Sequence, residues 1–127
     1  MNGKIIAVVN QKGGVGKTTT VFNLGVALVN AGKKVLLVDT DPQGDLTTYM
    51  GWYNSDELPL TLADLMEQSM NDKLIYFDKA ILHHKERLDL IPANLDLSAM
   101  EMSLVNAMSR EYTLKRCIYD LMKKYDY

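Results

Sequence analysis

A run of glycines between an apolar segment and an amphipathic segment most constrains the fold of this chain. Residues 4–9 are apolar and rich in β-branched side chains, which is typical of a strand buried on both faces. The glycine-rich stretch 13–16 follows, and apolar residues then recur at helical spacing over residues 18–31. A second apolar run, 35–38, ends in acidic residues. This succession predicts a βαβ unit with two parallel strands and a right-handed crossover.

The rest of the chain continues to alternate strand and helix patterns. A capping-box pattern at Thr61 predicts a helix to about residue 70, and a second such pattern at Ser98 predicts another helix. Residues 88–92 form a short apolar run stopped by proline, which predicts a strand. A further amphipathic segment covers about residues 111–124. We therefore expect an α/β fold.

Composition excludes several classes of protein. With 127 residues, 47% of them hydrophobic and 24% charged, the chain has the make-up of one globular domain and not of a disordered or fibrous protein. Its net charge of -2 does not favour a protein that coats nucleic acid. The single Cys117 predicts a small buried residue and no internal disulfide. No apolar run approaches the roughly 20 residues of a membrane-spanning helix, so we expect a cytoplasmic protein.

The glycine-rich stretch has the composition of a phosphate-binding loop. Between a strand and a helix, its backbone N–H groups can surround phosphates while the helix N-terminus adds a partial positive charge. Lys17 would reach the terminal phosphates and the Thr18 hydroxyl would coordinate Mg²⁺. Gln11 stands where the general pattern has glycine, and the plainer alternative is a turn with two solvated lysines. The predicted nucleotide-binding residues are Lys12, Gly13, Gly14, Val15, Gly16, Lys17, Thr18 and Thr19.

Two motifs carry a family resemblance. Residues 10–20, NQKGGVGKTTT, resemble the deviant Walker A loop of the ParA/Soj-type partition ATPases, and residues 38–44, VDTDPQG, resemble the second motif of that family. Residues 92–94, PAN, resemble a later segment of it. The resemblance covers the whole chain and implies a P-loop NTPase-like parallel sheet flanked by helices. It further implies that residues 1–127 are the N-terminal part of a single P-loop ATPase domain, truncated before the Walker B strand.

The resemblance also implies roles for individual residues. Lys12 matches the additional lysine that contacts the nucleotide of the partner across an ATP-bound dimer, and with Lys17 and Asp41 it completes the predicted catalytic set. Asp39 matches a carboxylate close to the Mg²⁺ ion, so that Thr18 and Asp39 are the predicted metal residues. Asp41 matches the residue that orients the attacking water. The alternative is that both carboxylates only form the turn at the end of a strand.

The function that the resemblance implies is ATP-driven partition of a plasmid or chromosome. It implies ATP and Mg²⁺ as cofactors, a homodimer formed on ATP, and a centromere-binding, ParB-like partner. Non-specific DNA would bind through a C-terminal half that this chain lacks, so the full protein would be nucleoid-associated, without a membrane partner. The isolated 127-residue chain is expected to be inactive.

Three other classes of protein compete with this interpretation. Membrane-associated division-site regulators share the ATPase chemistry, but their loop begins with glycine at the position of Gln11. Electron carriers of the nitrogenase-reductase type need cluster cysteines that this chain does not have. A non-catalytic nucleotide-binding module is favoured if the natural protein stops at Tyr127.

Other polar and aromatic residues are expected to have structural roles. We expect His83 and His84 to lie on a solvated face, and Trp52 and Tyr53 to pack under a loop. Four basic residues near the end of the chain could contribute to a DNA-binding face but are more simply exposed: Lys115, Arg116, Lys123 and Lys124.

Overall fold

A computed structural model describes residues 3–9, 16–104 and 107–127 of the chain. Its sheet contains strands β1 (Leu36–Val38), β2 (Leu82–His83) and β3 (Asp89–Ile91), in the spatial order β1-β3-β2. β1 and β3 are parallel, with Leu37 opposite Leu90, whereas β2 and β3 are antiparallel. The sheet is therefore mixed, and the predicted strand at 88–92 is confirmed within one residue at each end.

Helices surround this sheet. Their bounds are α1 (Lys17–Asn30), α2 (Asp45–Tyr49), α3 (Leu62–Met70), α4 (Phe77–Ala80), α5 (Asp96–Met102) and α6 (Ala107–Ile118), with 3₁₀ turns at Ser55–Glu57 and Tyr119–Lys123. The predicted helix at 18–31 is thus confirmed. The segment predicted as one helix over 111–124 begins earlier and tightens into a 3₁₀ turn after Ile118.

Capping side chains explain where two of the helices begin. The Asp64 carboxylate of α3 accepts a hydrogen bond from the Thr61 amide at 2.8 Å, which completes the predicted capping box. The helix predicted near Ser98 is present, but its predicted start is wrong, because α5 begins at Asp96. The Asn94 side-chain oxygen accepts a hydrogen bond from the Asp96 amide at 3.0 Å and so supports this earlier start.

Side chains alternate along each strand and so point to both faces of the sheet. Helices bury both of these faces. On one face, α1 and α2 cover a cluster of Val29, Val35, Leu37, Leu46, Met50, Leu88 and Leu90. On the other face, α3, α5 and α6 cover a larger cluster of Leu62, Ala63, Leu65, Met66, Ala80, Ile91, Ala93, Leu97, Cys117 and Leu121. Cys117 is buried, as predicted, and burial raises the pKa of its thiol to about 12.

The prediction of a buried strand at residues 4–9 is wrong. These residues form no strand in the structure, and Val9 is 87% exposed. The physical reason is pairing: in this segment the amides of Gly3 and Lys4 donate to the carbonyls of Met122 and Asp126, and no sheet ladder continues along it. The strand that neighbours β1 in parallel is β3 and not the N-terminal segment.

Candidate functional site

A buried carboxylate lies immediately beyond β1. Asp39 is only 3% exposed, and its amide donates to the Ile91 carbonyl, which extends the pairing of β1 with β3. The Asp39 carboxylate accepts hydrogen bonds from the Asp41 amide at 3.0 Å, the Thr47 amide at 3.0 Å and the Thr47 hydroxyl at 2.7 Å. Burial raises the pKa of this carboxyl, while the hydrogen bonds from Thr47 and Asp41 oppose the shift.

Two residues that support Asp39 were missed by the sequence reasoning. The hydroxyl of Thr47 accepts a hydrogen bond from the Ala93 amide at 3.1 Å, so it joins the end of β1 to the segment after β3. Gly44 adopts a φ of 66°, and a Cβ there would lie 2.8 Å from the Ala93 carbonyl oxygen. A glycine after Pro42-Gln43 could have indicated this close approach, whereas nothing in the sequence pattern indicates Thr47.

A second carboxylate, Asp41, stands in the turn that leads to α2. Its Oδ1 accepts a hydrogen bond from the Gln43 amide at 3.0 Å, and its backbone carbonyl accepts one from the Gly44 amide at 2.8 Å. A side-chain hydrogen bond with Asp41 raises the pKa of Asp45, and repulsion from Asp41 and Asp39 acts in the same direction. The Lys17 ammonium lowers the pKa of Asp45, so it lies within electrostatic reach of the Asp45 carboxylate.

The start of α1 has no side-chain cap among the described residues. Gly16 precedes the helix with a φ of 86°. Lys17 and Thr18 are half-buried in the first turn, whereas Thr19 is exposed. The first amides of a 14-residue helix are therefore directed to the space in front of it, together with the positive end of the helix dipole.

One cleft of about 690 Å³ is lined both by predicted phosphate-binding residues and by the predicted carboxylates. It lies between the N-terminal segment 3–9 and β1, and its lining includes Lys17 and Thr18 from α1 with Asp39 and Asp41 from beyond β1. Gly16 and Thr19 do not line it. The remaining predicted loop residues, Lys12, Gly13, Gly14 and Val15, lie outside the described residues.

The other candidate residues have structural surroundings. His83 is exposed as predicted, but His84 is half-buried with its ring 5.6 Å from that of Phe22 and 6.1 Å from that of Trp52. Tyr53 is 77% exposed, so the prediction that it packs under a loop is wrong.

The described residues lack both a metal-binding cluster and a membrane-spanning helix. They contain no group of three or more His, Cys, Asp or Glu side chains that could hold a metal ion. None of the helices in the described part of the chain is both long and apolar enough to span a membrane.

A mixed sheet flanked by helices, with a glycine-preceded helix and acidic residues at the same edge, defines a P-loop NTPase-like α/β protein. Residues 3–127 match the family described as AAA domain. Together with the relatives described next, this match shows that the chain belongs to the ParA/Soj-type partition ATPase family.

Relatives of known name and structure support this assignment. The sporulation initiation inhibitor protein Soj of Bacillus subtilis is 45% identical, over 98% of this chain and 47% of that protein. A cobyrinic acid a,c-diamide synthase of Mycobacterium smegmatis, crystallised with an ATP analogue and magnesium, is 42% identical with a TM-score of 0.79, over 93% of this chain and 46% of that one. A plasmid partition protein of Borrelia burgdorferi is 30% identical with a TM-score of 0.73, over 100% of this chain and 54% of that one. The chain thus spans about half the length of these relatives.

Proposed function

We propose that the chain is the nucleotide-binding part of an ATP-hydrolysing partition protein. The observation that carries this proposal is the cleft shared by Lys17, Thr18, Asp39 and Asp41. An ammonium, a hydroxyl and two carboxylates around one cleft are groups that phosphoryl transfer can use, since the terminal phosphate is held by positive charge while a carboxylate orients the nucleophile.

The phosphates of ATP would be held at the start of α1. The first amides of α1 and the Lys17 ammonium would supply positive charge, and the Thr18 hydroxyl is a hard oxygen ligand suited to Mg²⁺. Bound Mg²⁺ would neutralise charge that develops on the phosphate oxygens. A related structure crystallised with an ATP analogue and magnesium supports ATP and Mg²⁺ as the cofactors.

Asp41 is the residue that we assign to water activation. Its Oδ1 already accepts the Gln43 amide, and this contact fixes the carboxylate in the turn. The carboxyl ends of parallel strands are where ligands bind in open α/β sheets, and Asp41 follows the end of β1. A carboxylate held there can orient a water toward the terminal phosphate, and orientation matters more than basicity in a loose transition state.

Asp39 has a different role in this proposal. Both hydrogen bonds from Thr47 go to its Oδ2, whereas Oδ1 accepts only the Asp41 amide among the residues that the structure describes. Oδ1 therefore keeps a lone pair that can face a metal-bound water. Asp39 thus holds the Asp41 turn in place and contributes negative charge near the metal.

The wider assembly is proposed from the family. We take residues 1–127 as the N-terminal part of one P-loop ATPase domain, with Lys12 contacting the nucleotide of a second protomer. ATP-dependent dimerisation, binding of non-specific DNA and stimulation by a centromere-binding protein would follow, in a cytoplasmic protein associated with the nucleoid. The relatives named as partition proteins support this assignment.

The test compares three single substitutions in the full natural chain. Asp41→Ala should leave ATP binding nearly intact and lower phosphate release by roughly 10²-fold, because only a positioning group is lost. Lys17→Ala should abolish tight ATP binding, because it removes a charge partner of the phosphates. Asp56→Ala is the charge-matched control, since Asp56 is exposed and does not line the cleft.

Calorimetry and phosphate release with ATP, Mg²⁺ and DNA give the result. Unchanged turnover in the Asp41 variant would refute its assignment, and wild-type affinity in the Lys17 variant would refute the nucleotide site itself. Loss of ATP binding in the Asp41 variant would instead assign Asp41 to the metal site.

A further inference from the structure

A second, basic pocket lies at the opposite edge of the sheet. It has a volume of about 390 Å³ and opens where β1 and β3 begin, beside Val35 and Asp89. Four residues of extended chain separate Val35 from Asp39, which is a distance of about 13 Å. Val35 and Tyr125 line both cavities, but the pocket lies at the far end of β1 from Asp39 and Asp41 and contains neither of them.

Four cationic side chains line this pocket: Lys33, Lys34, Arg87 and Lys124. All four are exposed, and none forms an ion pair or a side-chain hydrogen bond with any residue that the structure describes. The nearby Asp126 carboxylate accepts the backbone amide of Lys34 and not its ammonium. The pocket thus concentrates positive charge that the described part of the chain does not neutralise.

The one carboxylate in the lining is engaged elsewhere. Asp89 accepts a hydrogen bond from the Tyr125 hydroxyl at 2.6 Å and another from the His83 ring at 2.6 Å. Burial, followed by the bond to Asp89, raises the pKa of Tyr125, so the hydroxyl remains a donor at neutral pH. Asp89 is therefore less available to pair with the four cations.

The backbone of Arg87, which lines the pocket, lies in the left-handed region. Arg87 has a φ of 63°, a conformation that glycine adopts far more readily. Its amide donates to the His84 carbonyl in the turn between β2 and β3, where the His84 amide also donates to the Leu88 carbonyl. Strained residues of this kind concentrate at binding sites, and here the strain holds a guanidinium at the rim of the pocket.

We propose that this pocket binds a phosphate group, as a site separate from the phosphate loop. The four cations face two carboxylates that already accept hydrogen bonds, Asp89 and Asp126, which leaves an excess of two positive charges. This excess matches a doubly charged tetrahedral anion better than a single carboxylate, because lysines act as point charges from several directions. The phosphate belongs either to a nucleic-acid backbone or to a small free phosphate compound. The proposal does not depend on ATP hydrolysis at the other edge.

The experiment uses the full natural chain with Lys17→Ala throughout, so that the phosphate loop contributes little. A double variant, Lys33→Gln with Lys124→Gln, is compared with a control of equal charge change, Lys73→Gln with Lys85→Gln. The control lysines are exposed and do not line the pocket. The probes are a fluorescein-labelled DNA duplex, followed by anisotropy over a range of salt concentrations, and inorganic phosphate, followed by ³¹P NMR.

We expect the pocket variant to weaken binding of at least one probe about tenfold, and the control variant to change it less than about twofold. For the duplex, the slope of the logarithm of the binding constant against the logarithm of the salt concentration should become shallower by about one unit for each phosphate contact removed. An effect on the duplex alone assigns a nucleic-acid backbone, and an effect on inorganic phosphate identifies a free anion. Equal losses in the two double variants, or no loss in either, would overturn the proposal.

The Arg87→Gly variant distinguishes a binding role of the Arg87 side chain from a purely structural role. Glycine relieves the backbone strain, so the thermal midpoint should stay the same or rise while phosphate binding falls. Unchanged binding of both probes in this variant would remove Arg87 from the site.

Discussion

Two short apolar segments of this molecule differ in burial and in strand formation. Residues 4–9 and β1 are both short, apolar and rich in β-branched or aliphatic side chains. Leu37 at the centre of β1 is 7% exposed, whereas Ile6 at the centre of the first segment is 52% exposed. Apolar content alone therefore does not decide which segment becomes a strand.

Hydrogen-bond partners on both edges account for the difference. β1 pairs with β3 along its whole length, and on its other edge the Leu36 amide donates to the Tyr127 carbonyl while the Lys34 carbonyl accepts the Tyr127 amide. In the segment 4–9, only the first amide donates to another part of the described chain. A strand forms where its backbone groups are paired, because unpaired buried amides and carbonyls are costly.

The largest expected contrast is in thiol reactivity. A cysteine introduced by Ile6→Cys should react with a maleimide much faster than Cys117, which is 1% exposed. Burial raises the pKa of Cys117 from 9.0 to about 12, which lowers its thiolate fraction at pH 8 roughly thousandfold. Labelling kinetics with peptide mapping measures both rates in one protein, and comparable rates would show that residue 6 is buried.

A smaller contrast is expected in stability. Leu37→Ala should lower the free energy of unfolding of this chain by about 3 kcal/mol, since it leaves a cavity in the core. Ile6→Ala is the matched control and should change it by less than about 0.5 kcal/mol. Urea denaturation measures both values, and an equally large loss for Ile6→Ala would mean that the two segments are equivalent in solution.

The smallest contrast concerns the carboxyl ends of the two segments. β1 is followed by the buried Asp39, whereas the first segment ends at the exposed Val9. Asp39→Ala removes three hydrogen bonds and leaves the buried Thr47 donors unpaired, for a loss of about 2 kcal/mol of unfolding free energy. Asp41→Ala removes one partly exposed bond and should cost less than about 1 kcal/mol. Thermal unfolding that ranks the two variants in the reverse order would contradict the anchoring role of Asp39.

Local patterns predicted much of the fold. Helical spacing gave α1 and the capping box gave the start of α3, because both depend on residues a few positions apart. The start of α5 was misjudged, since the side chain that supports it, Asn94, belongs to the turn after β3. In the site, the phosphate-loop pattern proposed Lys17 and Thr18, and the family resemblance proposed Asp39 and Asp41. Thr47 carried no local signal, because its partners lie 8 and 46 residues away.

The sequence by itself determined α1, α3 and the positions of β1 and β3, since these follow from periodicity, capping and apolar runs. The site residues remain a proposal that rests on the phosphate-loop pattern and on the family resemblance. Only the tertiary structure decided that β1 pairs with β3, that residues 4–9 remain exposed, and that Arg87 joins three lysines at one pocket. Pairing and convergence depend on groups far apart in the chain. A local pattern specifies what a segment can bury, but the partner that buries it is chosen by the whole fold.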